Sequence, residues 1–151
     1  MKRAFSFVVV LVLLGVVVAA QEKPNFAGTW KLAGAPADQF TAPQMVVVQD
    51  AKTITVTASS QMGEFKTPFN LDGTEARAPL EFNGTTFDRV TKAAWTGKTL
   101  VLTTKSEING QTFETKMTWT LNADGTLLVE STRPDFQGGG GPVTGKTTYK
   151  K

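Results

Sequence analysis

The sequence predicts an all-β domain, an antiparallel up-and-down meander that closes into a barrel of about eight to ten strands. After residue 21, short runs rich in Val, Ile, Thr and Phe recur about every ten residues, with Gly, Asn and Asp between them. No window of helical length has the apolar period of an α-helix. Connections after residue 44 are short, so consecutive strands pair, and closure removes exposed sheet edges. A Greek-key sandwich, the alternative, needs longer crossings.

Residues 1–20 have the composition of a cleavable secretory signal. Lys2 and Arg3 form a positively charged start, and residues 7–20 contain no charged side chain. This apolar run of about 14 residues fits a signal sequence, whose apolar core has about 7–15 residues, whereas a membrane-spanning helix needs about 20. An uncleaved anchor helix is the alternative interpretation.

A cleavage pattern ends this segment. Val18 and Ala20 occupy the −3 and −1 positions of a small-residue cleavage site, which predicts cleavage after about Ala20. We therefore expect a secreted or periplasmic protein whose mature part, residues 21–151, is one barrel domain without stable membrane insertion. The sequence does not indicate an oligomeric state.

The composition excludes several classes of function. Removing residues 1–20 lowers the basic count from 16 to 14 against 13 acidic residues, a net charge of about +1, so we expect no nucleic-acid partner. The chain has no cysteine and no histidine. The usual zinc, copper and haem ligand sets and the Ser-His and Cys-His nucleophilic pairs are therefore absent, and we expect no metal, no cofactor and no catalytic residues. An all-carboxylate calcium site is the alternative, although no segment resembles the calcium loop of an EF-hand.

Alternating apolar and polar residues locate the strands. Residues 33–43 are expected to form a loop with one helical turn at 37–40, and Asn109-Gly110 is a strong hairpin signal because its turn type needs positive φ at both positions. The expected strands are 27–32, 44–49, 53–59, 64–71, a weak strand near 74–78, 85–96, 99–107, 111–121, 126–132 and 145–150.

Three motifs resemble those of the calycin superfamily, which includes the lipocalins and the fatty-acid-binding proteins. The first is Gly-Thr-Trp-Lys-Leu at 28–32, just after the expected cleavage point. The others are Trp-x-Gly-x-x-Leu at 95–100 and Trp-x-Leu-x-x-Asp-Gly-x-Leu at 119–127, as in secreted bacterial lipocalin-like domains. The resemblance covers the mature chain and implies a calyx-shaped barrel that holds a small apolar molecule.

The resemblance also assigns structural roles. Gly28 and Trp30 match the opening motif, in which the Trp closes the barrel floor beneath a basic side chain. Arg133, Lys146 and Lys150 are candidates for that basic partner. The loop 33–43 would lie across the barrel mouth.

One face of the predicted strands forms the candidate ligand-binding site. Its apolar members can line a cavity or fill the core, because barrels of this size do either. Arg89 would point inward, where it could bind a ligand carboxylate, lie at the rim or a bulge, or pair with Glu107 or Glu130. The candidate residues are Phe65, Phe69, Phe87, Arg89, Phe113, Met117 and Trp119.

Two functions remain open, and a third is disfavoured. The chain is expected to bind or sequester a small hydrophobic molecule inside the barrel. Alternatively, it is a secreted interaction or inhibitor protein that uses its rim loops, with a filled barrel as scaffold. An enzyme is disfavoured because no two carboxylates can be placed convergently.

Overall fold

The computed structural model describes residues 22–61, 63–135 and 140–151. The predicted signal and its cleavage point fall outside these residues. No helix in the described ranges has the length and apolar character needed to cross a membrane.

The described residues form strands joined by tight turns. Two strands, 44–49 and 111–121, have the bounds that the alternation predicted. The strands are β1 Gly28–Leu32, β2 Gln44–Gln49, β3 Thr53–Ser60, β4 Gly63–Asn70, β5 Ala76–Arg77, β6 Leu80–Phe82, β7 Thr85–Phe87, β8 Arg89–Thr96, β9 Thr99–Ile108, β10 Gln111–Leu121, β11 Leu127–Arg133 and β12 Val143–Lys150.

Ten of these strands form one antiparallel sheet, and β6 and β7 form a separate hairpin. The order in the large sheet is β4-β3-β2-β1-β12-β11-β10-β9-β8-β5. Consecutive strands pair from β1 to β4 and from β8 to β12, and β5 pairs with β8. The first strand, β1, also pairs with the last, β12. The predicted up-and-down barrel of eight to ten strands is therefore confirmed, with ten strands in a nearly closed sheet.

Side chains close the remaining gap between β4 and β8. The Thr91 hydroxyl on β8 donates a hydrogen bond to the Pro68 carbonyl on β4 (2.6 Å). The Arg89 guanidinium donates from Nη2 to the Lys66 carbonyl on β4 (3.3 Å) and from Nε to the Ala78 carbonyl (2.9 Å). We call these contacts the seam; they supply donors where backbone pairing stops.

The predicted strand 85–96 is interrupted. It splits at Asp88 into β7 and β8, because β7 pairs with β6 instead of continuing in the barrel sheet. Asn83 and Gly84 form the turn, with φ of 51° and 74°, closely matching the 52° and 75° of Asn109 and Gly110. The sequence therefore contains a second Asn-Gly hairpin signal, which the continuous alternation around it conceals.

The loop 33–43 contains a turn rather than the expected helical turn at 37–40. Within residues 37–41, a backbone hydrogen bond runs from the Thr41 amide to the Asp38 carbonyl three residues earlier (3.2 Å). The Asp38 carboxylate accepts from the Phe40 amide (2.9 Å) and the Thr41 hydroxyl (3.0 Å). An aspartate that bonds the amide two residues later stabilises a turn in place of a helix.

Candidate functional site

The interior of the barrel has two halves that differ in the burial of their inward-facing side chains. In the closed half, on the side of the β8–β9 and β10–β11 turns, these side chains are buried: Trp30, Met45, Val47, Ile54, Val56, Phe69, Thr91, Ala93, Leu100, Leu102, Trp119, Leu127, Val129 and Tyr149. In the open half, on the side of the β9–β10 turn, they are half-buried: Leu32, Ala58, Phe65, Thr67, Arg89, Thr104, Ser106, Phe113, Thr115, Met117, Ser131 and Thr147.

The strand register places both halves on the same inner wall. On β9, Leu100 and Leu102 belong to the closed half, and Thr104, two residues further, belongs to the open half. Thr104 lies opposite Thr91 on β8 and Thr115 on β10. The change from buried to half-buried therefore occurs along one face of each strand and does not reflect a change of face.

An aromatic cluster forms the floor of the closed half. The Phe26 ring stacks on Trp95 (6.1 Å between centroids, 19°) and meets Trp119 edge to face (5.6 Å, 76°). Trp30 is fully buried, and its Nε1 donates to the Phe26 carbonyl (2.8 Å). These contacts give Trp30 the surroundings of a floor residue.

The basic partner of Trp30 is Lys151, whose Nζ lies 4.9 Å from the ring centroid. It is none of the three candidates taken from the sequence. Lys146 pairs with Glu130, and Arg133 pairs with Asp38. Gly28 adopts φ +133°, and a Cβ there would lie 3.0 Å from Lys151 Cε, so the position favours glycine both for its backbone and for this close approach.

Gln49 holds the segment that carries Phe26, a role that sequence reasoning missed. Its Oε1 accepts from the Phe26 amide (2.8 Å), and its Nε2 donates to the Pro24 carbonyl (3.2 Å). A side-chain amide can meet a peptide group through both of its functions in this way. No local pattern identified Gln49, because its partners lie 23 and 25 residues away in sequence.

The seven candidate ligand-binding residues do not form one cluster. Phe69 and Trp119 are fully buried in the closed half. Phe65, Phe113 and Met117 lie in the open half, and Met117 packs on the buried core.

The remaining two candidates occupy other positions. Phe87 lies on β7, outside the barrel sheet. Arg89 faces inward as expected, but its hydrogen bonds go to the carbonyls of the seam and not to Glu107 or Glu130. Partial burial lowers the pKa of its guanidinium.

The loop 33–43 is tied to the β11–β12 side of the barrel mouth. Arg133, at the end of β11, donates from Nη2 to Asp38 Oδ2 (2.7 Å) and lies over the Phe40 ring (4.5 Å). The Tyr149 hydroxyl donates to the Ala42 carbonyl (3.0 Å). Burial, with the nearby Asp38 charge, raises the pKa of Tyr149 to about 12.

Aspartates stabilise turns at the opposite end of the barrel. Asp72 and Asp124 each accept hydrogen bonds from the hydroxyl and the amide of the threonine two residues later. Asp50 accepts from the amides of Lys52 and Thr53. These hydrogen bonds lower the pKa of all three carboxyls.

The mouth contains a fourth such carboxyl. Partial burial alone would raise the pKa of Asp38, but hydrogen bonds from Arg133, Thr41 and the Phe40 amide outweigh it and lower the pKa. A carboxyl whose folded pKa is lowered stabilises the fold above its unfolded pKa and loses that contribution as the pH falls through the folded value.

We therefore predict that stability changes little between about pH 5 and 8 and falls below about pH 4, the ordinary carboxyl pKa. The chain has no histidine, the side chain that usually titrates between pH 5 and 8. Chemical denaturation followed by circular dichroism at a series of pH values checks this. A stability transition near pH 6.5, the ordinary histidine pKa, would contradict it.

Neither a metal-binding cluster nor a groove on the outer surface competes with the open half as a site among the described residues. They contain no group of three or more carboxylates that could hold a metal ion. A shallow groove of about 280 Å³ is lined by Glu130, Ser131, Thr132, Thr144, Gly145 and Lys146. Glu130 and Lys146 form an exposed ion pair there, so the groove lies on the outer surface.

Comparison with known proteins identifies the fold. No protein-family model and no curated protein sequence matches the chain. Among solved structures, a mutant of the fluorescent protein UnaG is similar, with a TM-score of 0.54 and 24% identity over 83% of this chain and 95% of that one. The fold is a lipocalin-like barrel. At this identity the likeness shows the fold alone.

Proposed function

We propose that this protein is an exported calycin barrel that binds one small, largely apolar molecule in its open half. Export is supported by residues 1–20, with their positive start, short apolar run and cleavage pattern. Expression in a bacterium tests it: periplasmic protein beginning at Gln21 supports export, and full-length cytoplasmic protein overturns it.

The difference in burial between the two halves carries the binding proposal. Inward-facing residues of the closed half are almost completely buried, with 0% exposure for Trp30, Phe69 and Trp119. The next inward-facing residues on the same strands keep solvent contact. A barrel filled by its own side chains would bury both sets.

The closed half gives such a site a rigid base. Met117 and Ala58 belong to the open half but pack on the buried core, so they form an apolar surface at the boundary between the halves. Phe65 and Phe113 provide aromatic walls above this surface. A concave, mainly apolar site with a few polar groups is typical of small-molecule binding.

The fold comparison adds limited support. The similar structure is that of a fluorescent protein. The four aspartates with lowered pKa values accept hydrogen bonds in turns and in the mouth loop, which gives them a structural role.

Blocking the open half tests the proposal. Nile red, a neutral aromatic dye, should bind the mature protein with a saturable rise in fluorescence. Thr115→Trp, which fills the open half, should weaken this binding at least about tenfold, which corresponds to 1.4 kcal/mol.

Thr118→Trp is the matched control, because Thr118 is also half-buried on β10 but lies on the outer face. It should bind the dye like the parent protein. Absence of saturable binding, or equal weakening by both substitutions in folded protein, would show that the open half is not the site.

A further inference from the structure

We propose that the ligand of the open half is a neutral, ring-bearing molecule with several hydroxyl or carbonyl groups, rather than a plain hydrocarbon chain. This inference rests on the proposed function and specifies its ligand class. It follows from the hydroxyls on the inner wall, the pairing of the inward-facing charges, and the position of the aromatic side chains.

Six hydroxyl side chains face the interior of the open half. They are distributed over β4 and β9 to β12 and therefore surround much of the cavity. Thr104 and Thr115 lie directly opposite each other, and Ser131 lies opposite Met117. The six are Thr67, Thr104, Ser106, Thr115, Ser131 and Thr147.

These hydroxyls differ from the buried one in the seam. Thr91 is fully buried, and its hydroxyl donates to the Pro68 carbonyl. Within the described part of the chain, none of the six hydroxyls of the open half has a hydrogen-bond partner. They are accessible to water, so a ligand that displaces the water must replace those hydrogen bonds or lose affinity.

The wall carries two positively charged side chains, and each one donates hydrogen bonds to other groups of the protein. The Arg133 guanidinium pairs with Asp38 at 2.7 Å. The Arg89 guanidinium donates to carbonyls on two sides of the seam. On the inward faces of β3, β4 and β8 to β12 in the open half, the described residues include no other charged side chain. Arg133 is neutralised by Asp38, and the seam carbonyls hold Arg89 in place, so a neutral ligand can bind this wall without disturbing either guanidinium.

Aromatic and thioether groups lie among the hydroxyls. Phe113 lies opposite Ser106, and Met117 lies between Leu102 and Ser131 in neighbouring strands. Phe65 contacts Phe82 of the β6–β7 hairpin (6.4 Å between centroids). Rings stack on such groups, and polar substituents on a ring can reach hydroxyls on several sides, which a linear chain cannot do.

Three neutral probes test the ligand class in Nile red displacement: quercetin, flavone and hexadecanol. Quercetin and flavone share one ring scaffold, but quercetin is polyhydroxylated and flavone has no hydroxyl. We expect quercetin to bind at least tenfold more tightly than either other probe.

Substitutions identify the groups responsible. Thr104→Val with Thr115→Val removes two facing hydroxyls at nearly constant volume and should weaken quercetin binding at least fivefold while leaving flavone binding unchanged or tighter. Ser131→Ala removes a third hydroxyl independently and should also weaken quercetin binding, by a smaller factor. Thr103→Val with Thr118→Val removes hydroxyls from the outer face of the same two strands. This pair should change neither quercetin binding nor flavone binding.

The possible failures are distinguishable. If Nile red binds and flavone or hexadecanol displaces it as well as quercetin does, the site stands and the ligand class is wrong. Unchanged quercetin binding in both the Thr104/Thr115 and Ser131 variants would likewise show that the ligand class is wrong. If neither Nile red nor any probe binds, the proposed site is wrong, and this inference is wrong with it.

Discussion

Replacing Trp30 with alanine should lower the free energy of unfolding by about 3–5 kcal/mol, the usual cost of removing a buried Trp. Trp30 is fully buried in the core cluster of the closed half. The substitution also removes the donor to the Phe26 carbonyl and the ring beneath Lys151 Nζ. Since Phe26 packs on both Trp95 and Trp119, the loss extends to the whole floor.

Urea denaturation followed by circular dichroism measures this effect. Trp30→Phe separates its causes, because the ring remains and the hydrogen bond is lost; we expect a smaller loss, about 1–3 kcal/mol. Val48→Thr is the control, since Val48 is 65% exposed on β2 and should change stability by less than about 0.5 kcal/mol. A loss below about 1 kcal/mol in Trp30→Ala would contradict the floor role.

Replacing Thr91 with valine should lower the free energy of unfolding by about 1–3 kcal/mol, although the two side chains have nearly the same shape. The substitution removes the Thr91 hydroxyl, which donates to the Pro68 carbonyl (2.6 Å) and lies 3.3 Å from the Ala76 carbonyl. At this point β4 and β8 have no ladder of backbone hydrogen bonds, so side chains hold the seam.

Amide hydrogen exchange locates the effect. We expect faster exchange in β4 and β5, next to the seam, and little change in the middle of β10, which is paired on both sides. Thr103→Val, on the outer face of β9, should alter neither stability nor exchange. Uniformly faster exchange over all strands would mean that the Thr91 hydroxyl acts on global stability and does not hold the seam.

Strand positions were largely predictable because alternation is a local property. The bounds of β2 and β10 coincide with the prediction, since each runs between clear turn signals and buries alternate residues. The β6–β7 hairpin was missed although Asn83-Gly84 indicates it, because alternation continues through Asp88 and conceals the break.

The candidate site was predicted less well. Phe69 and Trp119 have the same apolar alternation as Phe65 and Phe113, yet the first pair is buried in the closed half and the second lies in the open half. Period-two alternation identifies the face of a strand but not the depth along the barrel, which depends on the register between strands.

The sequence by itself determined the all-β meander, the inward face of the barrel strands and the absence of histidine and cysteine chemistry. Alternation is a local property of the chain, and composition needs no structure at all. Only the tertiary structure decided which half of the barrel is filled, how Thr91 and Arg89 close the seam, and that Lys151 covers Trp30. These features join residues from about 23 to more than 100 positions apart, and such contacts arise from strand register and burial, which no short stretch of sequence encodes.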